Sequence, residues 1–125
     1  MSSIYVLGAL WGKQKLPPEG IGGEQNNLKM LRTRSGHTLT FDDSEDNERI
    51  TLTDKNGNSL EICTSEDRIT LSAKSKLEIK TDGDMLLTGK TISIQAETIE
   101  LKSDSSLTLD GGSTADLKAG TVNIN

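Results

Sequence analysis

The chain has 125 residues, enough for one domain with a short appendage. Only 32 % are hydrophobic, the aromatics are Tyr5, Trp11 and Phe41 alone, and the net charge is −5. A chain of this size buries only about two thirds of its unfolded surface, so this scarcity of large side chains excludes an ordinary packed monomer, while the acidic balance excludes partners that reward basic surfaces, nucleic acid and anionic lipid headgroups.

Low hydrophobicity also suits a disordered chain. Two features oppose that reading: the only prolines are Pro17 and Pro18, and β-branched residues are abundant and regularly spaced. The missing burial is therefore expected from other copies of the chain. Cys63 is the single cysteine, so no disulfide framework exists within the chain. No run of 18 apolar residues occurs, and no transmembrane helix is expected. The apolar stretch Ile4 to Trp11 is brief and lacks a basic leading region and a small-residue cleavage site, so it makes a poor signal peptide.

In chain order, residues 1–12 hold the brief apolar stretch Ile4 to Trp11. Residues 13–30 carry Pro17-Pro18 and the glycines 20, 22 and 23, and read as a linker or collar loop. Residues 31–65 read as a wider, hairpin-type base. Leu39 and Phe41 form an i, i+2 apolar pair, Asp42 to Glu48 is a polar, acidic loop, and Asn56-Gly57 separates the alternating runs Ile50–Thr53 and Leu60–Cys63. Asn-Gly between alternating runs signals a hairpin.

Residues 66–125 carry the dominant signal, which begins slightly earlier. The i, i+2 pairs are Ile50/Leu52, Leu60/Ile62, Ile69/Leu71, Leu77/Ile79, Met85/Leu87, Ile92/Ile94, Ile99/Leu101, Leu107/Leu109, Ala115/Leu117 and Val122/Ile124. Such a pair is the period of a strand with one buried face. From Leu71 onward the second members recur every seven or eight residues. That is too short for the usual solenoids, and a coiled coil needs apolar residues three and four apart. The residues between are Thr, Ser, Lys, Asp and Gly, which suit an outward β face and tight turns.

A strand of four or five residues plus a turn of about three fits the period. Each repeat then forms one side of a triangular prism. A single chain coiled alone would complete only two or three turns over 68–125. Three chains wound together fill the prism with the same pattern, successive strands on one face coming from successive chains about 4.8 Å apart. The expected fold is all-β: an intertwined homotrimeric β-helix, a triangular prism needle with a short N-terminal strand and loop. Its expected core is Ile69, Leu71, Leu77, Ile79, Met85, Leu87, Ile92, Ile94, Ile99, Leu101, Leu107, Leu109, Leu117, Val122 and Ile124. Ten repeats give a rod of roughly 50 Å.

Four stretches of the chain resemble one family, the spikes of contractile injection machines: the VgrG proteins of type VI secretion and the related baseplate spikes of phage tails and tail-like particles. Val6-Leu-Gly-Ala-Leu-Trp11 resembles the closing strand of that family's OB-type domain. Leu31-Arg-Thr-Arg-Ser-Gly-His-Thr-Leu-Thr-Phe-Asp-Asp43 resembles the entry into its β-helix, Ile50-Thr-Leu-Thr-Asp-Lys-Asn-Gly-Asn-Ser59 the next hairpin, and the short repeats the needle. The family's large hub domain and full OB-type barrel have no counterpart in these residues, so residues 1–12 look like a remnant of that barrel. The resemblance implies a structural, membrane-piercing spike that catalyses nothing. It passes transiently through a target membrane and is particle-associated or secreted on contraction. Its implied partners are two further copies, a baseplate hub at the N-terminal end and a PAAR-type tip protein at the C-terminal end. Some phage spikes finish in a metal-binding His-x-His tip; this chain ends Thr-Val-Asn-Ile-Asn125. Val122, Asn123, Ile124 and Asn125 are thus the expected platform for a separate tip.

The remaining candidate sites read as ordinary structure. His37, the only histidine, could meet its copies around a metal on a three-fold axis, but it reads as a turn residue after Gly36, with no second ligand type at metal spacing. Thr88-Gly-Lys-Thr91 resembles the end of a phosphate loop but has Asp84 where that motif needs glycine. The acidic run 42–48 lacks the glycine and closing glutamate of an EF-hand loop. Cys63 has no base beside it in sequence, and a narrow needle offers no cleft for a carboxylate pair. No catalytic, cofactor or metal residue is expected. The chief alternative is a trimeric fibre or tailspike that binds a cell-surface receptor. It would carry exposed aromatics along the needle, where none lies between Thr51 and Asn125. A β-helical enzyme would need acidic residues clustered along one groove.

Overall fold

The computed structural model describes residues 27–125; the strand expected at 1–12 and most of the loop expected at 13–30 lie outside the described residues. The chain is all-β. Five strands of five residues each, β1 (Leu28–Arg32), β2 (Thr38–Asp42), β3 (Arg49–Thr53), β4 (Ser59–Cys63) and β5 (Arg68–Ser72), form one antiparallel sheet in sequential order. The meander crosses the expected boundaries at 30/31 and 65/66.

The turns at one end of this sheet share one construction. In loop 33–37 the Thr33 N–H donates to the His37 carbonyl at 2.9 Å and the Gly36 N–H to the Thr33 carbonyl at 3.1 Å. In loop 54–58 the Asp54 N–H donates to the Asn58 carbonyl at 3.0 Å and the Gly57 N–H to the Asp54 carbonyl at 3.1 Å. The fourth residue of each loop is a glycine at positive φ, 105° for Gly36 and 89° for Gly57, where a side chain would be strained. The hairpin expected at Asn56-Gly57 is therefore present as a five-residue loop. Asn56 is not left-handed, so the two-residue primed turn that Asn-Gly favours does not form. At the other end, Asp46 (φ 61°) closes the β2–β3 loop, and Asp67 (φ 50°) ends a short 3-10 turn, Thr64–Glu66, that leads into β5. Aspartate is among the few residues that tolerate this region.

Contacts divide the chain into two compact units, which meet in sequence between Asp82 and Gly83. Every strand pairing among the described residues lies between Leu28 and Ser72. From Ala73 to Asn125 the backbone runs straight between bends. The bends fall at 74–75, 82–83, 90, 97, 104–105, 112–113 and 120. Each first bend residue lies three positions after the second member of an apolar pair, from Leu71 to Leu117. Spacing of apolar pairs and spacing of corners are thus the same eight, eight, seven, seven, eight, eight.

Side chains alternate between the corners as they do in a strand. Glu78 pairs with Lys76 at 2.5 Å and Lys80 at 3.3 Å, and Glu100 pairs with Lys102 at 2.6 Å. Residues two apart therefore share a side, and the apolar pair occupies the other. One corner is especially tight. The Thr114 N–H donates to the Gly111 carbonyl at 3.2 Å, and a Cβ on Gly111 would collide with the Thr114 carbonyl oxygen.

Candidate functional site: an uncovered apolar face

The strand register gathers the apolar residues of the sheet into two continuous rows on one face. One row is Leu31, Leu39, Leu52, Leu60 and Leu71; the other is Phe41, Ile50, Ile62 and Ile69, with Lys29 at its β1 end. Among the described residues nothing is packed over these rows, although Leu39 is half-buried. Leu52 is 53 % exposed and Ile69 72 %. On the opposite face Thr38, Thr40, Thr51, Thr53, Ser59 and Glu61 are half-buried. A sheet that folded to serve a monomer would show the reverse.

The polar face carries its own ties. Glu61 bridges Arg49 at 3.3 Å and Arg68 at 3.5 Å, linking three adjacent strands, and Arg68 also reaches Glu66 at 3.1 Å. Cys63 ends β4 on this face, is 1 % exposed, and has Ser65 Oγ 3.4 Å from its sulfur. Its register partners are Arg49 and Arg68.

In sequence, the apolar pattern of the sheet continues as the pairs of 73–125. Every expected core residue from Leu77 to Ile124 is exposed in the single chain, from 47 % for Val122 to 89 % for Ile124. No residue after Cys63 is even half-buried. Each such side chain gains roughly 1.5–3 kcal/mol on full burial. The peptide groups of these straight runs also need partners once they leave water. Val122 and Ile124 are exposed like the rest, with Asn123 and Asn125 alternating between and after them.

The polar candidates sit in turns. The His37 N–H donates to Thr33 Oγ1 at 3.1 Å, and His37 Nδ1 accepts the Lys55 N–H at 3.2 Å. Asn58, the residue after the glycine of the next loop on that edge, accepts the Lys74 N–H on Oδ1 at 2.8 Å. The residue after each loop glycine thus receives an N–H from the following turn, and successive turns are stitched together. In the acidic loop, Asp42 accepts from the Ser44 N–H at 2.9 Å and Asn47 Nδ2 at 3.0 Å. The Ser44 bonds hold its carboxyl below the ordinary value. Asp54 is held down in the same way, chiefly by the Asn58 side chain at 2.8 Å. Among the described residues no cluster of three or more His, Cys, Asp or Glu could hold a metal ion. Lys90, in the Thr88-Gly-Lys-Thr91 stretch, lies at an exposed bend.

Sequence reasoning missed Glu61 as a bridge and Asn58 as a stitch. The signal for Glu61 was the placement of Arg49 and Arg68 about one hairpin to either side. No family model matches the chain, and no curated protein matches it. Fold and face alone therefore define its class, an all-β chain whose apolar side chains stand open in both of its units.

Proposed function

We propose that three copies of this chain wind into an intertwined β-helical needle, and that the needle is the rigid central spike of a contractile injection apparatus. The single observation that carries the reading is the coincidence of corners and apolar pairs over 73–125, in a chain that makes no ladder with itself there. A single-chain coil would pair each run with the run three repeats on. In a three-sided prism built by three chains, the strand above each run belongs to a neighbouring copy, so an unladdered chain is what one copy looks like alone.

A closed prism hides its edges, and its chains must unwind before it comes apart, which gives kinetic stability. Those properties suit a passive spike driven through a membrane by sheath contraction. A baseplate hub then engages the N-terminal end, and a PAAR-type tip protein rests on Val122, Asn123, Ile124 and Asn125. The needle is particle-associated and is expelled on contraction. It performs no catalysis.

Sedimentation of the purified chain tests the assembly: the expected species has three times the 13.5 kDa chain mass and resists SDS without heating. A folded 13.5 kDa monomer overturns it. Binding to a glycan array separates the spike from a receptor-binding fibre; strong glycan binding would favour the fibre.

A further inference from the structure

Repetition creates a problem for such a needle. The apolar pairs of successive repeats are nearly interchangeable, so one copy could slide along its winding path by a whole repeat and still bury leucine against leucine. Register in repetitive sheets needs additional specification. The outward side chains of the C-terminal unit supply it.

Lys102, Asp110 and Lys118 each follow the second member of an apolar pair, Leu101, Leu109 and Leu117. Alternation turns all three away from the apolar side, as the Glu100–Lys102 ion pair at 2.6 Å shows for the first. Glu100, Thr108 and Asp116 occupy the matching positions two residues earlier. The Gly112 N–H donates to one oxygen of Asp110 at 2.8 Å, which fixes that carboxylate at its corner and leaves its other oxygen available.

We propose that Lys102, Asp110 and Lys118 form a charge ladder between copies that sets the register of the trimer. The inference rests on the three-chain reading above. With three equivalent chains on three faces, each repeat of one copy lies in parallel against the next repeat of its neighbour. Lys102 of one copy then flanks Asp110 of a second, and that second copy's Asp110 flanks Lys118 of the third. Thr108 likewise separates Glu100 from Asp116. Sliding one copy by a single repeat places it like-on-like against one neighbour and two repeats out of step with the other. The first contact sets Lys102 against Lys102; the second sets Lys102 against Lys118 and Glu100 against Asp116. Both are like-charge contacts directly across neighbouring strands, which are destabilising. The two seven-residue repeats between Leu87 and Leu101 add a geometric penalty, because a slipped copy meets corners of the wrong length.

Paired cysteines read the register directly. In the double variant Lys102→Cys with Asp110→Cys, neighbouring strands about 4.8 Å apart bring the thiol introduced at position 102 of each copy within disulfide reach of the thiol introduced at position 110 of another. Mild oxidation should give a covalent trimer, and Lys102→Cys alone, which retains Cys63, should not. A trimer by sedimentation that fails to cross-link, or that cross-links as well through Lys102→Cys with Lys118→Cys, overturns the ladder but leaves the trimer standing. A monomer by sedimentation overturns both. Asp110→Asn keeps an oxygen for the Gly112 N–H and removes the charge. It should lower the temperature at which the trimer dissociates in SDS and abolish the salt dependence of that temperature. An unchanged dissociation profile in Asp110→Asn overturns the role of the charge.

Discussion

The meander at 28–72 and the cornered run at 73–125 have the same side-chain pattern but different backbone fates. In the meander, consecutive strands reverse direction, and loops of four to six residues bring each one beside the last. Antiparallel pairing is cheap for a short loop. Beyond Ser72 the described residues make no further strand pairing, and bends every seven or eight residues take the place of hairpin loops. A parallel neighbour within one chain requires a long return path. The first region therefore completes its ladder alone and lacks only a cover, whereas the second lacks both. The same pattern of leucine and isoleucine can serve a self-made sheet or a shared one, and turn geometry decides which.

The most severe way to break this comparison is a charge on the shared axis. Leu101→Asp places three carboxylates together where the trimeric reading puts its core, and an unpaired buried charge costs several kcal/mol. The trimer is expected to be lost in sedimentation. Amide exchange should show the meander still protected and 73–125 unprotected. A normally assembled Leu101→Asp trimer would mean that the apolar side faces outward.

A smaller effect is expected in the region that folds on its own ladder. Gly57 has φ 89°, and a Cβ there would approach Lys74 Cε at 2.9 Å. Lysine can move aside, but the left-handed backbone remains strained, at about 1–2 kcal/mol for a residue with a Cβ. Gly57→Val, β-branched, should lie at the upper end. Its signature is a lowered melting temperature with the trimer still formed. A stability equal to the native protein's would show that the loop relaxes into another turn.

The pairs and their seven- and eight-residue spacing were legible because period-two alternation and turn residues are local signals. Each corner falls where that spacing predicts. The hairpin at Asn56-Gly57 was legible for the same reason, although its loop length was not, since Asp54 captures the Asn56 and Asn58 N–H groups and widens the turn. Strand β1 was not. Leu28 and Met30 lie on the polar face while Leu31 joins the apolar row, so its alternation is blurred and only pairing with β2 reveals it. Cys63 was expected in a strand, but its near-complete burial on the polar side depends on the local turn at Thr64–Glu66, which no periodicity encodes. The number of copies in the proposed prism would be a property of the assembly, and a single chain does not encode it locally.

The smallest expected effect is acid sensitivity, and it sharpens the comparison because its sources are unevenly divided. Asp42 and Asp54 belong to the meander and its loops, and Glu78 to the cornered run. All three carboxyls lie below their ordinary values, Asp42 through Ser44, Asp54 through Asn58, and Glu78 through Lys76 and Lys80. A depressed folded value means that the folded state favours the carboxylate. The resulting stability is fully present above the unfolded values, near pH 4, and is lost as pH falls through the lower folded values. Melting temperature should therefore be flat from neutral pH to about 5 and fall below about 4. Asp54→Asn retains one oxygen to accept the loop N–H groups but cannot titrate. It should lower stability at neutral pH and make the acid fall shallower. An equally steep fall in Asp54→Asn would show that the loop carboxylates of the meander do not control the acid limb, and would shift it to Glu78 and its lysines.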